Sequence, residues 1–147
     1  CTTLIQKCVV FYFEVIKPNL IPEVLGKLQE LQQFGYRIVL VSAGFGIYLK
    51  YFASDFGIAP IDLFSSNIEI CHGRATGKLD GLDCVGQNKI KLLEQKFNRD
   101  EIESIAFSDS PSDAPLWQWS NNGVAICQIP TWHMQCGVDV LYYNLKK

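Results

Sequence analysis

The spacing of apolar residues divides most of the chain into alternating helices and strands. Residues 22–34 carry apolar side chains at positions 24, 25, 28, 31 and 34, which is the spacing of an amphipathic helix. Pro22 suits the first turn of this helix, and Gly35 suits the position just after its end. The following run YRIVLVS (36–42) is rich in β-branched residues and predicts a short, buried parallel strand.

The same alternation continues toward the C-terminus. Ala43 and Gly44 are expected to form a turn, and residues 45–56 a helix closed by Gly57. Residues 61–81 contain short apolar runs broken by HG, TG and DG, which predict strands that include a β-hairpin. The remaining predicted elements are a helix over 87–97, a strand ending in Asp109, a helix from about Pro115, and strands over 123–127 and 138–143.

The first 20 residues allow two interpretations. Leu4, Cys8, Phe11, Tyr12 and Val15 fit one face of a helix, whereas CVVFYFEV alone could form a strand; we favour the helix. The alternation predicts an α/β fold, a three-layer Rossmann-like parallel sheet with helices on both faces and a small β-hairpin excursion. In such sheets ligands bind beyond the carboxyl ends of the strands.

Composition narrows the possible partners. The 147 residues suit one domain, and 48% hydrophobic against 19% charged residues is typical of a globular protein. A net charge of −2 without a basic block disfavours nucleic acid as a partner. Without an apolar stretch of roughly 18 residues or a secretory signal pattern, no membrane partner is expected. Six scattered cysteines without a CxxC pair fit free thiols in the cytoplasm better than a zinc site or a disulfide framework.

Two carboxylates stand out in residues 104–117, SIAFSDSPSDAPLW. Asp109 and Asp113 lie four residues apart, where a predicted strand meets the first turn of a helix. Helix capping by Ser112 or Asp113 explains one of the two acids. It leaves Asp109 unexplained, because a carboxylate at the end of an interior strand must be solvated, paired or bound to a metal.

Three stretches in this order resemble the haloacid dehalogenase superfamily of phosphohydrolases, and most closely its phosphoserine-phosphatase-like branch. They are GYRIVLVSAGFGIYL, TGKLDGLDCVGQNKIKLL and IAFSDSPSDAPLW, the last of which carries the family's DxxxD pattern. Together they cover most of the chain, from about residue 20 to residue 127. The order, spacing and local context of three motifs carry the resemblance, since a DxxxD alone is weak.

The resemblance implies a phosphatase that forms an aspartyl-phosphate intermediate with the help of bound Mg²⁺. Ser42, Ala43 and Gly44 would bind the substrate phosphate at the start of a helix. Lys89 would supply a fixed positive charge to the same phosphate.

The two carboxylates receive separate roles from the resemblance. Asp109 would ligate Mg²⁺, which prefers carboxylate and water oxygens. Asp113 would support the metal's water shell or orient Lys89. Ser42, Lys89 and Asp113 are therefore the candidate catalytic residues, and Asp109 and Asp113 the candidate metal residues. Taken singly, Ser42 and Asp113 could be helix caps and Lys89 a solvated surface residue.

The family's DxDx[TV] motif, whose first Asp is the nucleophile, has no counterpart in the sequence. The nearest stretch, VVFYFEV, would place Tyr12 and Glu14 at the two acidic positions. We therefore expect a truncated chain, with residues 1–20 as the end of a helical cap or linker and 21–147 as the core. This chain alone is expected to be inactive. The missing central strand should leave a gap, closed either by pairing of its two neighbours or by residues 8–15.

Three functions remain open at this point. The first is a Mg²⁺-dependent hydrolase acting on a small phosphorylated metabolite, with phosphoserine as one candidate. The second is a non-catalytic module that binds phosphate or Mg²⁺. The third is a phosphotransferase or dehalogenase on the same scaffold, because a scaffold does not determine its chemistry.

Overall fold

The computed structural model describes residues 2–127 and 139–142 of the chain. The α-helices of these ranges are α1 (Thr2–Val10), α2 (Pro22–Gln33), α3 (Gly46–Asp55), α4 (Gln87–Glu94) and α5 (Ala114–Trp119). The strands are β1 (Leu40–Phe45), β2 (Leu63–Ser66), β3 (Ile68–Cys71), β4 (Arg74–Leu79), β5 (Ile105–Ser108), β6 (Asn122–Cys127) and β7 (Asp139–Tyr142). No described helix is long and apolar enough to span a bilayer.

The N-terminal segment is helical, as we favoured from its apolar spacing. Helix α1 continues through a π-helical turn, Phe11–Ile16, and a short 3₁₀ turn. Tyr12 is fully buried and donates a hydrogen bond to Asp55 Oδ2 at 2.8 Å, while Lys17 Nζ lies 2.7 Å from the same oxygen. Burial, followed by the hydrogen bond to Asp55, raises the pKa of the Tyr12 hydroxyl. These contacts attach the segment to α3.

Strand β1 begins later and is less buried than predicted. The expected strand covered residues 36–42, whereas pairing starts at Leu40, which lies opposite Leu63, and extends to Phe45. None of the β1 residues is fully buried. The chain before Leu63 forms the 3₁₀ turn Pro60–Asp62 instead of continuing β2, so residues 36–39 have no strand partner among the described residues.

The β-hairpin predicted within residues 61–81 is confirmed. Strands β3 and β4 are antiparallel, and His72 and Gly73 at their junction both have positive φ, 48° and 74°. This backbone conformation suits a tight two-residue hairpin turn. Strand β2 precedes the hairpin and pairs in parallel with β1.

The α/β fold is confirmed, but its parallel sheet is divided into two parts. One part pairs β1 with β2, and the other has the order β5–β6–β7. Within the described ranges β1 and β5 do not pair, and residues 8–15 are helical, so neither expected way of closing the gap is used. An apolar cluster joins the two parts instead: Val39, Val41 and Phe64 pack against buried side chains of α4, α5, β5 and β6, namely Ile90, Leu93, Ala106, Leu116, Trp117, Trp119 and Ala125.

An ion cluster ties the start of the β1–β2 part to the end of α4. Asp62, just before β2, accepts two hydrogen bonds from Arg37 (2.9 and 2.6 Å) and one from Lys96 (2.6 Å). The Arg37 hydrogen bond is the main cause that holds the pKa of Asp62 below its ordinary value, and Lys96 adds to it. Both cations also face the Phe97 ring, at 5.3 and 5.2 Å from its centroid.

We predict that Asp62→Asn lowers the free energy of unfolding by about 1–3 kcal/mol at pH 7, because charge-assisted hydrogen bonds are lost. The folded-state pKa of Asp62 is depressed, so its contribution is present above the unfolded pKa and is lost as pH falls through the folded value. The difference between variant and wild type in urea unfolding should therefore shrink below about pH 4. A difference that stays constant down to the acid transition would contradict this assignment.

We also predict that the backbone amides of the divided sheet are unevenly protected against hydrogen exchange. Among the strands that the structure describes, β1 and β5 each have one neighbour, whereas β6 is paired on both sides. Amides of β1 and β5 that point away from their partner should exchange hydrogen at least about tenfold faster than those of β6. Residue-resolved hydrogen exchange by NMR tests this, and equal protection in β5 and β6 would show that the open edge is covered.

Candidate active site

The segment between β5 and α5 is a short capped turn. Ser110 precedes the 3₁₀ turn Pro111–Asp113, and its Oγ accepts a hydrogen bond from the Ser112 N–H at 3.3 Å. Capping of the helix near Pro115 was the ordinary explanation for Ser112 or Asp113, but Ser110 caps only the 3₁₀ turn, and α5 has no side-chain capping bond from Asp113. The Asp113 carboxylate is therefore available to other partners.

Asp113 is buried and accepts a hydrogen bond on each carboxylate oxygen. Lys89 Nζ lies 2.5 Å from Oδ1, and Ser108 Oγ donates to Oδ2 at 2.6 Å. The Lys89 and Asp113 side chains are only 8% and 11% exposed. Since a buried charge without a partner is strongly unfavourable, the ammonium and carboxylate depend on each other. Lys89 is thus not a solvated surface residue.

Helix α4 directs Lys89 into the protein. Gly86 precedes the helix with φ of 50°, a conformation that suits glycine. Ile90 and Leu93 are buried in the apolar cluster, so this face of α4 points inward. Helical side chains lean toward the N-terminus of their helix, and Lys89 at the third position therefore extends over the first turn of α4.

The Lys89 ammonium has N–H donors that have no partner among the described residues. A lysine ammonium carries three N–H donors. Among the described residues the only hydrogen bond from Lys89 Nζ goes to Asp113. Two donors can therefore bind oxygens of a phosphate group while the third keeps the bond to Asp113.

Ser42 lies within β1 and not at its end, which corrects the predicted boundary. The expected turn at Ala43 and Gly44 interrupts the strand without ending it: the register with β2 shifts between Ser42 and Phe45, and Phe45 still pairs with Ser66. The Gly44 N–H donates to Ser42 Oγ at 3.1 Å, a short-range turn that such hydroxyls favour. Ala43 is exposed, and Ser42 and Gly44 are half-buried.

Helix α3 begins directly after this turn. Its first residue, Gly46, lies so close to β2 that a Cβ there would be 2.6 Å from Ser65 Oγ and 2.9 Å from Asn67 Oδ1. The first N–H groups of a helix lack helical acceptors and favour anions. The turn at Ser42–Gly44 and the start of α3 therefore form a surface suited to phosphate.

Cys84 shows that Ser42 and the Lys89–Asp113 pair share one neighbourhood. Its thiol is fully buried, and burial raises its pKa. The Lys89 charge and a backbone hydrogen bond with Ser42 lower that pKa, while the Asp113 charge raises it. The Cys84 N–H donates to Ser66 Oγ at 3.0 Å, and its thiol lies 3.6 Å from the Phe64 carbonyl oxygen, so Cys84 packs against β2, the partner strand of β1.

Asp109 follows the last residue of β5, Ser108, and is exposed. Within the described ranges it has no hydrogen bond or ion pair. The backbone N–H of Ser110 donates to Ser108 Oγ at 3.2 Å, and Ser108 in turn donates to Asp113. Asp109 thus lies in the same turn as Asp113, with both carboxylate oxygens available.

The described side chains fit a Mg²⁺ site only in part. Asp109 is a suitable oxygen ligand, but both Asp113 oxygens are already engaged, and no described group of three or more His, Cys, Asp or Glu side chains could hold a metal. Mg²⁺ often uses one or two carboxylates together with water and substrate phosphate oxygens. Of the two predicted roles for Asp113, the geometry favours orientation of Lys89.

Two residues of this neighbourhood were not predicted from the sequence. Ser108 anchors Asp113, and Cys84 lies between β1 and α4. The position of Ser108 at the end of an apolar run was the one available signal for its role. Cys84 had none, because its environment is made by residues distant in the chain.

Comparison with known proteins decides the family. Residues 3–118 match the model of the haloacid dehalogenase-like hydrolases. The chain belongs to this family. The resemblance expected from the three sequence motifs is confirmed.

Haloacid dehalogenase-like relatives include phosphoserine phosphatases. The chain is 27% identical over 122 residues to that of Haemophilus influenzae, covering 80% of this chain and 38% of the relative. It is 25% identical over 123 residues to that of Streptococcus thermophilus, covering 82% and 56%. The chain therefore spans about half or less of the length of these relatives.

Solved structures share the fold. A Bordetella pertussis protein of unknown function superposes with a TM-score of 0.82 at 23% identity, covering 95% of this chain and 66% of that one. A phosphoserine phosphohydrolase-like protein of Francisella tularensis gives 0.72 at 19% identity, covering 94% and 66%. A phospho-aspartyl intermediate analogue of phosphoserine phosphatase gives 0.52 at 20% identity, covering 80% and 56%.

We predict that the Lys89–Asp113 pair behaves as one unit in unfolding experiments. Lys89→Met and Asp113→Leu should each lower the free energy of unfolding by about 3–5 kcal/mol, because each leaves a buried charge unpaired. The double variant should cost much less than the sum, as measured in a double-mutant cycle by urea denaturation. Lys91→Met, at an exposed position of α4, is the control and should change stability by less than about 0.5 kcal/mol. Additive losses would mean that the two charges do not depend on each other.

Proposed function

We propose that this chain is the phosphate-binding part of a Mg²⁺-dependent phosphomonoester hydrolase that works through an aspartyl-phosphate intermediate. The observation that carries the proposal is the buried Lys89–Asp113 pair, in which the ammonium makes one hydrogen bond among the described residues and keeps two donors unused. Such a fixed positive charge stabilises phosphate oxygens without reorganising during the reaction. Membership of a hydrolase family agrees with this role.

Each residue then has a distinct task. Ser42, Ala43 and Gly44 bind the phosphate through the turn and the first amides of α3. Lys89 donates to the phosphate oxygens, while Asp113 positions the Lys89 ammonium. Asp109 would hold Mg²⁺, which supplies further neutralisation of the phosphate charge when bound. Positioning and electrostatic stabilisation are the main requirements of phosphoryl transfer.

The nucleophile, in this proposal, lies outside the printed sequence. The printed sequence has no DxD pattern after an apolar strand, and the curated relatives are longer than the matched region. Among the described strands, β1 and β5 each have one edge without a strand partner, and in this proposal a further parallel strand pairs there. Residues 1–20 would then be the end of a cap or linker, and 21–147 the remainder of the core.

The proposed substrate is a small phosphorylated metabolite, with phosphoserine as the first candidate. The relatives from Haemophilus influenzae and Streptococcus thermophilus are phosphoserine phosphatases. A cytoplasmic location suits this substrate class and the free thiols of Cys8, Cys71, Cys84 and Cys127.

A non-catalytic phosphate-binding module is the second candidate. It is favoured by one observation, namely that the described site offers a single free carboxylate, Asp109, and this lies in the predicted metal position. In this case the chain would bind phosphate without turnover, whatever segment is joined to it.

We expect the 147-residue chain to bind orthophosphate in the presence of Mg²⁺ and to release none from phosphoserine. Lys89→Met should weaken phosphate binding about tenfold to hundredfold, because a charge-assisted hydrogen bond is lost. Asp109→Asn should remove the dependence of binding on Mg²⁺. Calorimetric titration measures both, with Asp80→Asn, at an exposed turn position, as the matched control.

The outcomes separate the candidates. Phosphate release by this chain alone would place the nucleophile within the printed sequence and contradict that part of the proposal. Absence of phosphate binding would contradict both candidates. If the chain is joined to an upstream strand that ends in DxD, hydrolysis that depends on Asp109 supports the hydrolase, and continued binding without turnover supports the module.

A further inference from the structure

The third residue of α3, Tyr48, places its hydroxyl beside the phosphate-binding turn. A Cβ built on Gly44 would clash with Tyr48 Oη and would lie 3.2 Å from Tyr48 Cζ. Side chains in helices lean toward the N-terminus, so a tyrosine in the first turn of α3 reaches back over the residues that precede the helix. The absence of a side chain at Gly44 is what leaves room for the hydroxyl.

This hydroxyl lacks an internal partner. Within the described ranges Tyr48 makes a ring contact, but its Oη takes part in no hydrogen bond. Tyr48 is half-buried, and a phenol hydroxyl that is partly withdrawn from water usually finds an acceptor. The nearest feature that attracts an acceptor is the turn itself, where the Ser42–Gly44 backbone and the start of α3 favour an anion.

The N-terminal segment restricts where the Tyr48 ring can go. Phe11 contacts it edge-to-face, with ring centroids 5.2 Å apart and an interplanar angle of 76°. The neighbouring Tyr12 anchors that segment to α3 through Asp55. On the other side, Leu49 Cδ1 lies 3.3 Å from the Cβ position of Gly44 and fills the adjacent space. The hydroxyl is therefore held near the turn instead of moving freely.

We propose that Tyr48 is a substrate-contacting residue whose hydroxyl donates a hydrogen bond to the phosphate bound at the Ser42–Gly44 turn. The inference rests on the proposed function, because it assumes that a phosphate occupies this turn. Tyr48 would then add a hydroxyl donor to those of the Ser42–Gly44 turn and the start of α3. It also makes the N-terminal segment part of substrate binding, since Phe11 packs on the ring that carries the donor.

The test is calorimetric titration of the 147-residue chain with orthophosphate in the presence of Mg²⁺. Tyr48→Phe keeps the ring and its packing on Phe11, and it should weaken phosphate binding roughly tenfold, as expected for a hydrogen bond to a charged acceptor. Tyr51→Phe is the matched control, because Tyr51 lies on the same helix with its ring stacked on Tyr12 at 6.1 Å. The control should bind phosphate as the wild type does. Circular dichroism melting curves verify that each variant remains folded.

A second variant tests the position of the hydroxyl independently. Gly44→Ala would displace the Tyr48 hydroxyl, so its loss of phosphate affinity should be smaller when Tyr48 is already Phe. Equal binding by wild type and Tyr48→Phe, or fully additive losses in the two variants, would overturn the role of Tyr48 while leaving the phosphate site intact. Failure of the wild-type chain to bind phosphate would overturn the proposed function itself, and the role of Tyr48 with it.

Discussion

The buried ion pair between Lys89 and Asp113 is the interaction on which the rest of the site depends. It connects helix α4 to the turn after β5, and Ser108 donates a hydrogen bond to the second oxygen of the Asp113 carboxylate. Neither charge could remain at this depth without the other. The contact orients the Lys89 ammonium and leaves two of its three N–H donors without a partner among the described residues, which suits the proposed binding of an anion.

The divided sheet places a second constraint on the molecule. Parallel strands covered by helices are normally buried on both faces, yet β1 is half-exposed along its length. The apolar cluster between α4, α5 and the two sheet parts holds these parts together by side-chain packing and not by strand pairing. Ser42 lies in one part of the divided sheet and Ser108 in the other, so the polar residues of the candidate site are shared between the two parts.

The fold could be predicted from the sequence to a large extent because its signals are local. Apolar spacing located α2 and α4, and the glycines after α2 and α3 marked helix ends through their positive φ. The HG pair located the hairpin turn. The start of β1 was predicted wrongly, because the limits of a strand depend on its partner. Strand β2 begins at Leu63, which pairs with Leu40, so β1 begins at Leu40 and not at residue 36.

The candidate site, like the fold, could be predicted from the sequence only where its signals are local. The sequence by itself determined which residue types stand near the carboxyl ends of β1 and β5, and their order identified the family. Only the tertiary structure decided that Asp113 pairs with Lys89 instead of capping a helix, and that Cys84 and Tyr48 lie beside the Ser42 turn. The physical reason is that charge pairing and burial depend on groups far apart in the chain, whereas helical spacing and turn conformation depend on neighbours.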